Sequence, residues 1–299
     1  MIKLQEVNKN FHKQQVLHDI TFQIKDGSIY GLLGSNGAGK TTLLKIIVGI
    51  LKQEKGSVQI EGQKVFENTD VKKRMIFIPD SLYFFPHYTI EQMANFYQNI
   101  YPSWDQERFV QLREMFGLDI KKKVSQFSKG MRRQVAFWLA FSAMPDILVL
   151  DEPFDGLDPV VRRKVKNLLI QDVADREMTV LISSHNLREV EDICDYVGIL
   201  HKGSILLEKD LDELKADIHK VQVAFRNHVP AALKKDLSIL HEEKRGSVRL
   251  WIVRGAETEV SKLIESYQPI VYDLLPLTLE EIFVYEMGGA GYNVENILV

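Results

Sequence analysis

An α/β architecture with a mixed, mostly parallel sheet is predicted by three features of the sequence. A short apolar run, Ile29-Tyr30-Gly31-Leu32-Leu33, delivers a glycine-rich turn and then an apolar helical segment reaching Leu51. Two further buried-strand runs, Asp146-Ile147-Leu148-Val149-Leu150-Asp151-Glu152 and Thr179-Val180-Leu181-Ile182-Ser183-Ser184-His185, each stop at polar residues. Between them Val160 to Ala174 has the pattern of an amphipathic helix. Strand, helix, strand alternation calls for parallel pairing, with the site at the carboxyl edge of the sheet.

The turn itself is Gly34-Ser35-Asn36-Gly37-Ala38-Gly39-Lys40-Thr41, followed by Thr42. Its spacing, G-x-x-x-x-G-K-[ST], is that of a phosphate-binding loop. Glycines let consecutive N–H groups turn inward around a phosphate, and the following helix adds its positive dipole end. Lys40 is placed to reach the β- and γ-phosphates and the Thr41 hydroxyl to hold Mg²⁺. The plainer alternative is a glycine-rich turn that merely closes a strand.

With 299 residues, 45% hydrophobic and 26% charged, the chain has room for two domains of ordinary globular composition. The longest nearly uncharged run, Val135 to Phe141, falls well short of the roughly 18 residues of a membrane span, and Met1-Ile2-Lys3-Leu4-Gln5-Glu6 does not resemble a signal peptide. Any link to a membrane is therefore expected through a partner. A net charge of -3 argues against a dedicated nucleic-acid binder, and no nucleic acid is expected as partner. The basic runs Lys72-Lys73-Arg74, Lys121-Lys122-Lys123 and Arg162-Arg163-Lys164 are expected to be solvated faces. Cys194 is the one cysteine, which fits a reducing cytosol and a packing role.

Ahead of the loop, Ile2 to Val7 and His18 to Ile24 alternate as strands of an antiparallel hairpin. After its helix come a strand over Gly56 to Gly62 and a buried one over Arg74 to Ile78, punctuated by Pro79. Residues 81 to about 141 are expected to be a helical insertion. Its first part is crowded with aromatics (Tyr83, Phe84, Phe85, Tyr88, Phe96, Tyr97, Tyr101, Trp104), expected to be mostly core, with Tyr83-Phe84-Phe85-Pro86 in a loop as a contact surface. Tyr196 to Leu207 has the pattern of a hairpin. The expected division is a phosphate-loop, nucleotide-binding domain over 1–210 and a small α+β domain over 211–299. In the latter, helices over Leu211 to Ile218 and Glu257 to Ser266 alternate with strands over Val221 to Phe225, Val248 to Val253 and Ile270 to Leu274. Thr278 and Glu281 form a capping box there, with Leu277 and Ile282 as its staple.

Beside a phosphate loop, a strand ending in Asp151-Glu152 has a chemical meaning. Asp151 can hold Mg²⁺ directly or through water, and Glu152 points at the γ-phosphate, where a carboxylate can orient and deprotonate the attacking water. The structural alternative is an acidic helix start. His185, at another strand end, is placed to bond the γ-phosphate or hold that water in line.

Taken in order, these motifs resemble the ATP-binding subunits of ABC transporters over about Met1 to Lys209. The resemblance rests on the loop Gly34 to Thr42, on Phe127-Ser128-Lys129-Gly130-Met131-Arg132-Arg133-Gln134 upstream of Asp151-Glu152-Pro153, on Gly156-Leu157-Asp158-Pro159, and on His185. It implies a P-loop NTPase with an antiparallel β subdomain, ATP and Mg²⁺ as ligands, and a head-to-tail homodimer or heterodimer. In that dimer Ser128 and Gly130 of one subunit reach the γ-phosphate held by Lys40 of the other. The same resemblance implies that Phe11 stacks on adenine, Asp151 serves Mg²⁺, Glu152 is the base and Asp158 contacts the partner.

Two departures stand out. The family's signature Leu-Ser-Gly-Gly-Gln is Phe127-Ser128-Lys129-Gly130-Met131 here, which keeps the serine and second glycine. Where the family places a glutamine on Mg²⁺, this chain has Asp80, a metal-ligand candidate that adds negative charge and cannot donate a hydrogen bond. Pro79-Asp80, the stretch from Ser103 to Arg108 and the signature look most like the ATPases of Gram-positive ABC-2-type peptide and drug exporters, a group that includes phenol-soluble-modulin exporters. That match implies a separate transmembrane permease docking near Tyr83 to Tyr88, and a cytoplasmic chain held peripherally at the inner face of the membrane. The alternatives are a soluble relative acting on ribosomes or DNA, and a non-catalytic ATP-binding partner in a heterodimer.

Overall fold

The computed structural model describes residues 1–12, 14–226 and 228–289. The chain divides into two compact units, Met1–Glu208 and Lys209–Val299.

In the first unit, β1 (Ile2–Phe11) and β2 (Gln14–Ile24) pair antiparallel, and β3 (Ile29–Leu33) leads into α1 (Lys40–Ile47). Next come β4 (Lys55–Ile60), β5 (Gln63–Lys64), the single-turn α2 (Thr69–Lys72) and β6 (Met75–Ile78). Three helices follow, α3 (Ile90–Ile100), α4 (Gln106–Phe116) and α5 (Lys129–Ser142). The unit closes with β7 (Ile147–Asp151), α6 (Pro159–Arg176), β8 (Thr179–Ser184), α7 (Leu187–Glu191), β9 (Tyr196–His201) and β10 (Ser204–Asp210). One sheet has the order β2-β1-β4-β5 and the other β10-β9-β3-β8-β7-β6. In the second, β9, β3, β8, β7 and β6 are mutually parallel. Every residue of β3, β7 and β8 is buried, as parallel strands covered on both faces require.

Register decides where the site forms. Leu33 pairs with Ser184, Asp151 with Ser183, and Ile78 with Leu150. The four strands therefore end level, and the residues that follow them meet at one edge although they lie as far apart in the chain as Gly34 and His185.

Between the sheets lies a core that includes Leu4, Phe22, Ile24, Leu43, Ile47, Val58 and Val149. Cys194 is buried against the Gly31 backbone, and burial pushes its thiol well above the ordinary range, so it is an inert packing group. In the helical region Trp138 stacks on Phe109 at 4.8 Å and donates its N–H to the Phe109 carbonyl at 2.9 Å. The aromatic expectation needs correction here. Tyr83 and Phe85 are exposed, as expected of their loop, but Tyr88 and Phe96, expected in the core, are exposed too and both contact Phe85, so the surface aromatic patch is larger than expected. Tyr83, Phe85 and Tyr88 lie in the loop before α3 and Phe96 on α3 itself. Arg74 likewise is not a bare solvated charge, because it bridges Glu61 at 2.7 Å and Asp146.

The second unit contains α8 (Leu211–Asp217), β11 (Ile218–Ala224), α9 (Ala231–Asp236), β12 (Ser238–Arg245), β13 (Val248–Arg254), α10 (Glu257–Ser266), β14 (Val271–Leu275) and α11 (Leu279–Gly289). Its antiparallel sheet has the order β12-β13-β11-β14. Val221, Val223, Trp251 and Val253 pack with Val260 and Ile264 of α10 on one face. Lys220, on the opposite face, reaches Glu281 of α11 at 2.6 Å. The capping box forms, with the Glu281 N–H donating to Thr278 Oγ1 at 3.2 Å and the Thr278 N–H to Glu281 at 3.0 Å. Two elements lie outside the expectation, α9 and β12. The latter is an edge strand rich in charge, the composition that hides a strand from an apolar pattern while guarding it against further pairing.

Two turns, Glu61-Gly62 and Lys202-Gly203, have both residues at positive φ, as a two-residue hairpin turn of type I′ demands. They differ in surroundings. A Cβ on Gly203 would fall 2.3 Å from the Val16 carbonyl oxygen, whereas one on Gly62 would meet nothing within 4 Å. Gly62→Ala is therefore expected to cost about 1–2 kcal/mol from the left-handed backbone alone. Gly203→Ala should cost clearly more, and thermal unfolding of the two variants should show the lower Tm for Gly203→Ala.

Candidate active site

The loop after β3 wraps around the start of α1. Gly37 and Gly39 take φ of +83° and +109°, conformations that side chains resist, and a Cβ on Gly34 would lie 2.3 Å from the Leu200 carbonyl oxygen. Ala38 is buried beneath the loop and accepts a backbone hydrogen bond from Gly203 at 3.0 Å. A cavity of about 380 Å³ is lined by Ser35, Asn36, Gly37, Gly39, Lys40, Thr41 and Thr42, with Val16, Asp80 and Glu152 completing it.

Lys40 is 6% exposed, with its ammonium 2.6 Å from the Gly34 carbonyl oxygen and 3.1 Å from Glu152 Oε1. Glu152 also meets His185, whose Nδ1 lies 2.9 Å from Oε2 and whose backbone N–H donates to the same oxygen at 3.3 Å. The three groups expected at the γ-phosphate thus form one chain of contacts. Glu152 sits at φ +46°, a left-handed backbone that a non-glycine residue holds only where its surroundings impose it.

Asp151 is buried and fully engaged. Thr41 Oγ1 donates to its Oδ2 at 2.7 Å and Ser183 Oγ to its Oδ1 at 2.6 Å. Ser183 also accepts the Glu152 N–H at 3.2 Å. A hydroxyl beside a carboxylate suits Mg²⁺, which takes one or two protein oxygens and the rest from nucleotide phosphates and water. Among the described residues no cluster of three or more His, Cys, Asp or Glu side chains able to hold a metal occurs.

Asp80 lines the cavity, and its Oδ1 lies 3.2 Å from Arg133 Nη2 and 4.0 Å from Lys129 Nζ. Ser128 is exposed and caps α5, accepting the Met131 N–H at 3.2 Å, and neither it nor Gly130 lines the cavity of its own chain. A Cβ on Gly130 would lie 2.3 Å from the Gly156 carbonyl oxygen, so its small size already serves a contact inside the chain. Phe11 is 42% exposed at the end of β1, outside the cavity lining, with the Lys9 ammonium 5.3 Å from its ring centre. Asp158 caps α6 by accepting two backbone N–H groups at 3.0 Å. Ser183, Arg133 and Val16 were not singled out by sequence reasoning. Ser183 had a visible signal in its place two residues before His185.

Near the site one carboxylate is distinctly perturbed. Burial pushes Glu189 above the usual carboxylate range, against the opposing pull of Arg162 and a hydrogen bond from Ser184.

A family model described as "ABC transporter" matches residues 17–155. The ABC transporter ATP-binding protein YtrB of Bacillus subtilis is 34% identical over 97% of this chain and 99% of its own length. The chain belongs to the ABC transporter ATP-binding proteins. The bacitracin transport ATP-binding protein BcrA of Bacillus licheniformis is 30% identical over 97% of this chain and 98% of its own. The lantibiotic transport ATP-binding protein SrtF of Streptococcus pyogenes is 32% identical over 71% of this chain and 92% of its own. Among solved structures, an ATP-binding subunit of an ABC transporter superposes with a TM-score of 0.67 at 27% identity, covering 72% of this chain and 92% of that one. An ATP-binding cassette solved as a post-hydrolysis dimer with ADP and phosphate shares the fold, with a TM-score of 0.64 at 23% identity over 71% of this chain and 99% of that one. This ABC ATPase has no helix, among its described residues, long and apolar enough to cross a membrane.

Ser183 supports both acidic residues, so Ser183→Ala is expected to lower ATP turnover about 10- to 100-fold, the usual cost of losing a group that orients a ligand or base. Steady-state kinetics on the purified chain, with unchanged thermal unfolding as control, checks this.

Proposed function

We propose that this chain is the ATP-hydrolysing engine of an ABC exporter, working as a dimer beneath a separate transmembrane permease. The observation that carries the reading is the chain of contacts from buried Lys40 through Glu152 to exposed His185 at the phosphate-loop cavity, in a member of this family.

ATP enters with its triphosphate over Ser35 to Thr42. The phosphates take the Lys40 ammonium, releasing Glu152 from its ion pair. Glu152 then accepts the proton of a water whose oxygen bonds to the γ-phosphorus as the bond to the β–γ bridging oxygen breaks, and ADP and phosphate leave. His185 holds Glu152 in place and faces the same γ-phosphate. Mg²⁺ would be held by Thr41 and Asp151 and would neutralise charge on the phosphate oxygens. Phe11 stacks on the adenine.

The site is half built in one chain. Ser128 and Gly130 lie outside their own cavity, which supports their role as the lid over the partner's ATP. The dimer is left open between two copies of this chain and a related heterodimer. The exposed Tyr83, Phe85, Tyr88 and Phe96 fit a cytoplasmic helix of the permease, which would hold the chain at the inner face of the membrane. Two relatives are named for bacitracin and lantibiotic transport, which favours a peptide or drug cargo. Residues 1–210 are the ATP-binding domain in this scheme and 211–299 an accessory domain. SrtF aligns over 92% of its own length but 71% of this chain, in keeping with an appendage.

Glu152→Gln should abolish hydrolysis, a loss of about 10²- to 10⁴-fold, while ATP binding persists and the chain accumulates as an ATP-bound dimer in sedimentation. That dimer, recovered from membranes, should carry a hydrophobic integral subunit. Wild-type turnover in the variant, or recovery on ribosomes instead, would overturn the scheme.

A further inference from the structure

Arg133 is the least expected group near the site. It lies on α5, two residues after the signature ends at Met131, and its side chain is fully buried. A guanidinium cannot shed its proton to escape burial, so it needs acceptors, which its two terminal nitrogens find while its Nε is left without one. Its Nη1 donates to the Glu152 carbonyl oxygen at 3.2 Å and lies 3.5 Å from that of Asp151. Its Nη2 donates to the Asp80 carbonyl oxygen at 2.9 Å and to Asp80 Oδ1 at 3.2 Å. Among the described residues Asp80 supplies the one carboxylate within ion-pair distance of it. The same Oδ1 lies 4.0 Å from Lys129 of the signature.

Three segments therefore converge on a single cation: the end of β6, the start of α5 and the turn after β7. That last turn carries Glu152 on a left-handed backbone, whose carbonyl Arg133 grips. We propose that Arg133 is a positioning residue, locked by Asp80, that fixes the turn presenting the Glu152 carboxylate. Asp80 serves this lock rather than the metal. With a neutral side chain at position 80 the guanidinium stays charged and buried with its counter-charge gone, and the turn it holds shifts. The inference rests on the reading of Glu152 as the base.

The test is a double-mutant cycle on the full-length chain with D80N, R133Q and D80N/R133Q, following kcat, the KM for ATP, Mg²⁺ half-saturation and Tm. Should R133Q fail to fold, R133K replaces it, since lysine keeps the charge but cannot span three acceptors. Each single variant is expected to lose about tenfold or more in kcat with KM within about threefold, because small misplacement of a base is costly. The double variant should lose no more than the worse single, as coupled residues do. Mg²⁺ half-saturation should stay put in all three. Losses that multiply in the double variant, a Mg²⁺ shift in D80N alone, or a lowered Tm with wild-type kcat per folded chain would each overturn the assignment. E152Q, assayed alongside, separates the two readings: an active E152Q sinks both, and an inactive E152Q with multiplying losses sinks only the role of Arg133.

Discussion

Two opposite charges, Lys40 and Glu152, face each other 3.1 Å apart at the carboxyl edge of the parallel sheet, 6% and 13% exposed. Neither is stable there alone, since an unpaired charge taken out of water is costly. Each makes the other's position tenable, and each is what the other's chemistry must later do without. In the proposed mechanism a triphosphate replaces Glu152 as partner to Lys40, which frees the carboxylate to take a proton. The resting pair keeps both groups in place before ATP arrives.

The fold is arranged around holding that pair. Level strand ends bring the loop after β3 and the turns after β7 and β8 to one edge. Asp151 is clamped between hydroxyls from α1 and β8, so the strand ends are tied by short hydrogen bonds as well as by the ladder. Beneath the turn after β7, the Arg133 guanidinium ties the helical region to the same edge. A change in the Asp80 segment, which adjoins the exposed aromatics from Tyr83 onward, is thereby linked to the backbone of Glu152 through a rigid and buried group.

Much of this was legible because the signals are contiguous. Phosphate-loop spacing, the apolar runs of β7 and β8, and their polar ends are local patterns, and the elements form where those patterns lie. Ser183 and Arg133 escaped for a different reason. Their importance depends on register across parallel strands and on where α5 crosses the sheet edge, and neither is encoded in spacing. Gly130 shows the same limit. A glycine two residues after a serine at a helix start suggests phosphate contact, but its spacing does not reveal that the Gly156 carbonyl also requires that residue to be small. Tyr88 and Phe96 misled in the other direction, because rings that suit a core serve equally well on a surface.

The central claim is that the site is completed by a second chain, since the cavity around Lys40 lacks the Ser128 and Gly130 of its own chain. Mixing two inactive variants, Lys40→Ala and Ser128→Arg, tests it most directly. In the mixed dimer one site combines an intact Lys40 from the second variant with an intact Ser128 from the first. Single-turnover hydrolysis should then reappear on mixing, although each variant alone shows none. A mixture as inactive as its components, or a Ser128→Arg chain that hydrolyses ATP unaided, would contradict the account.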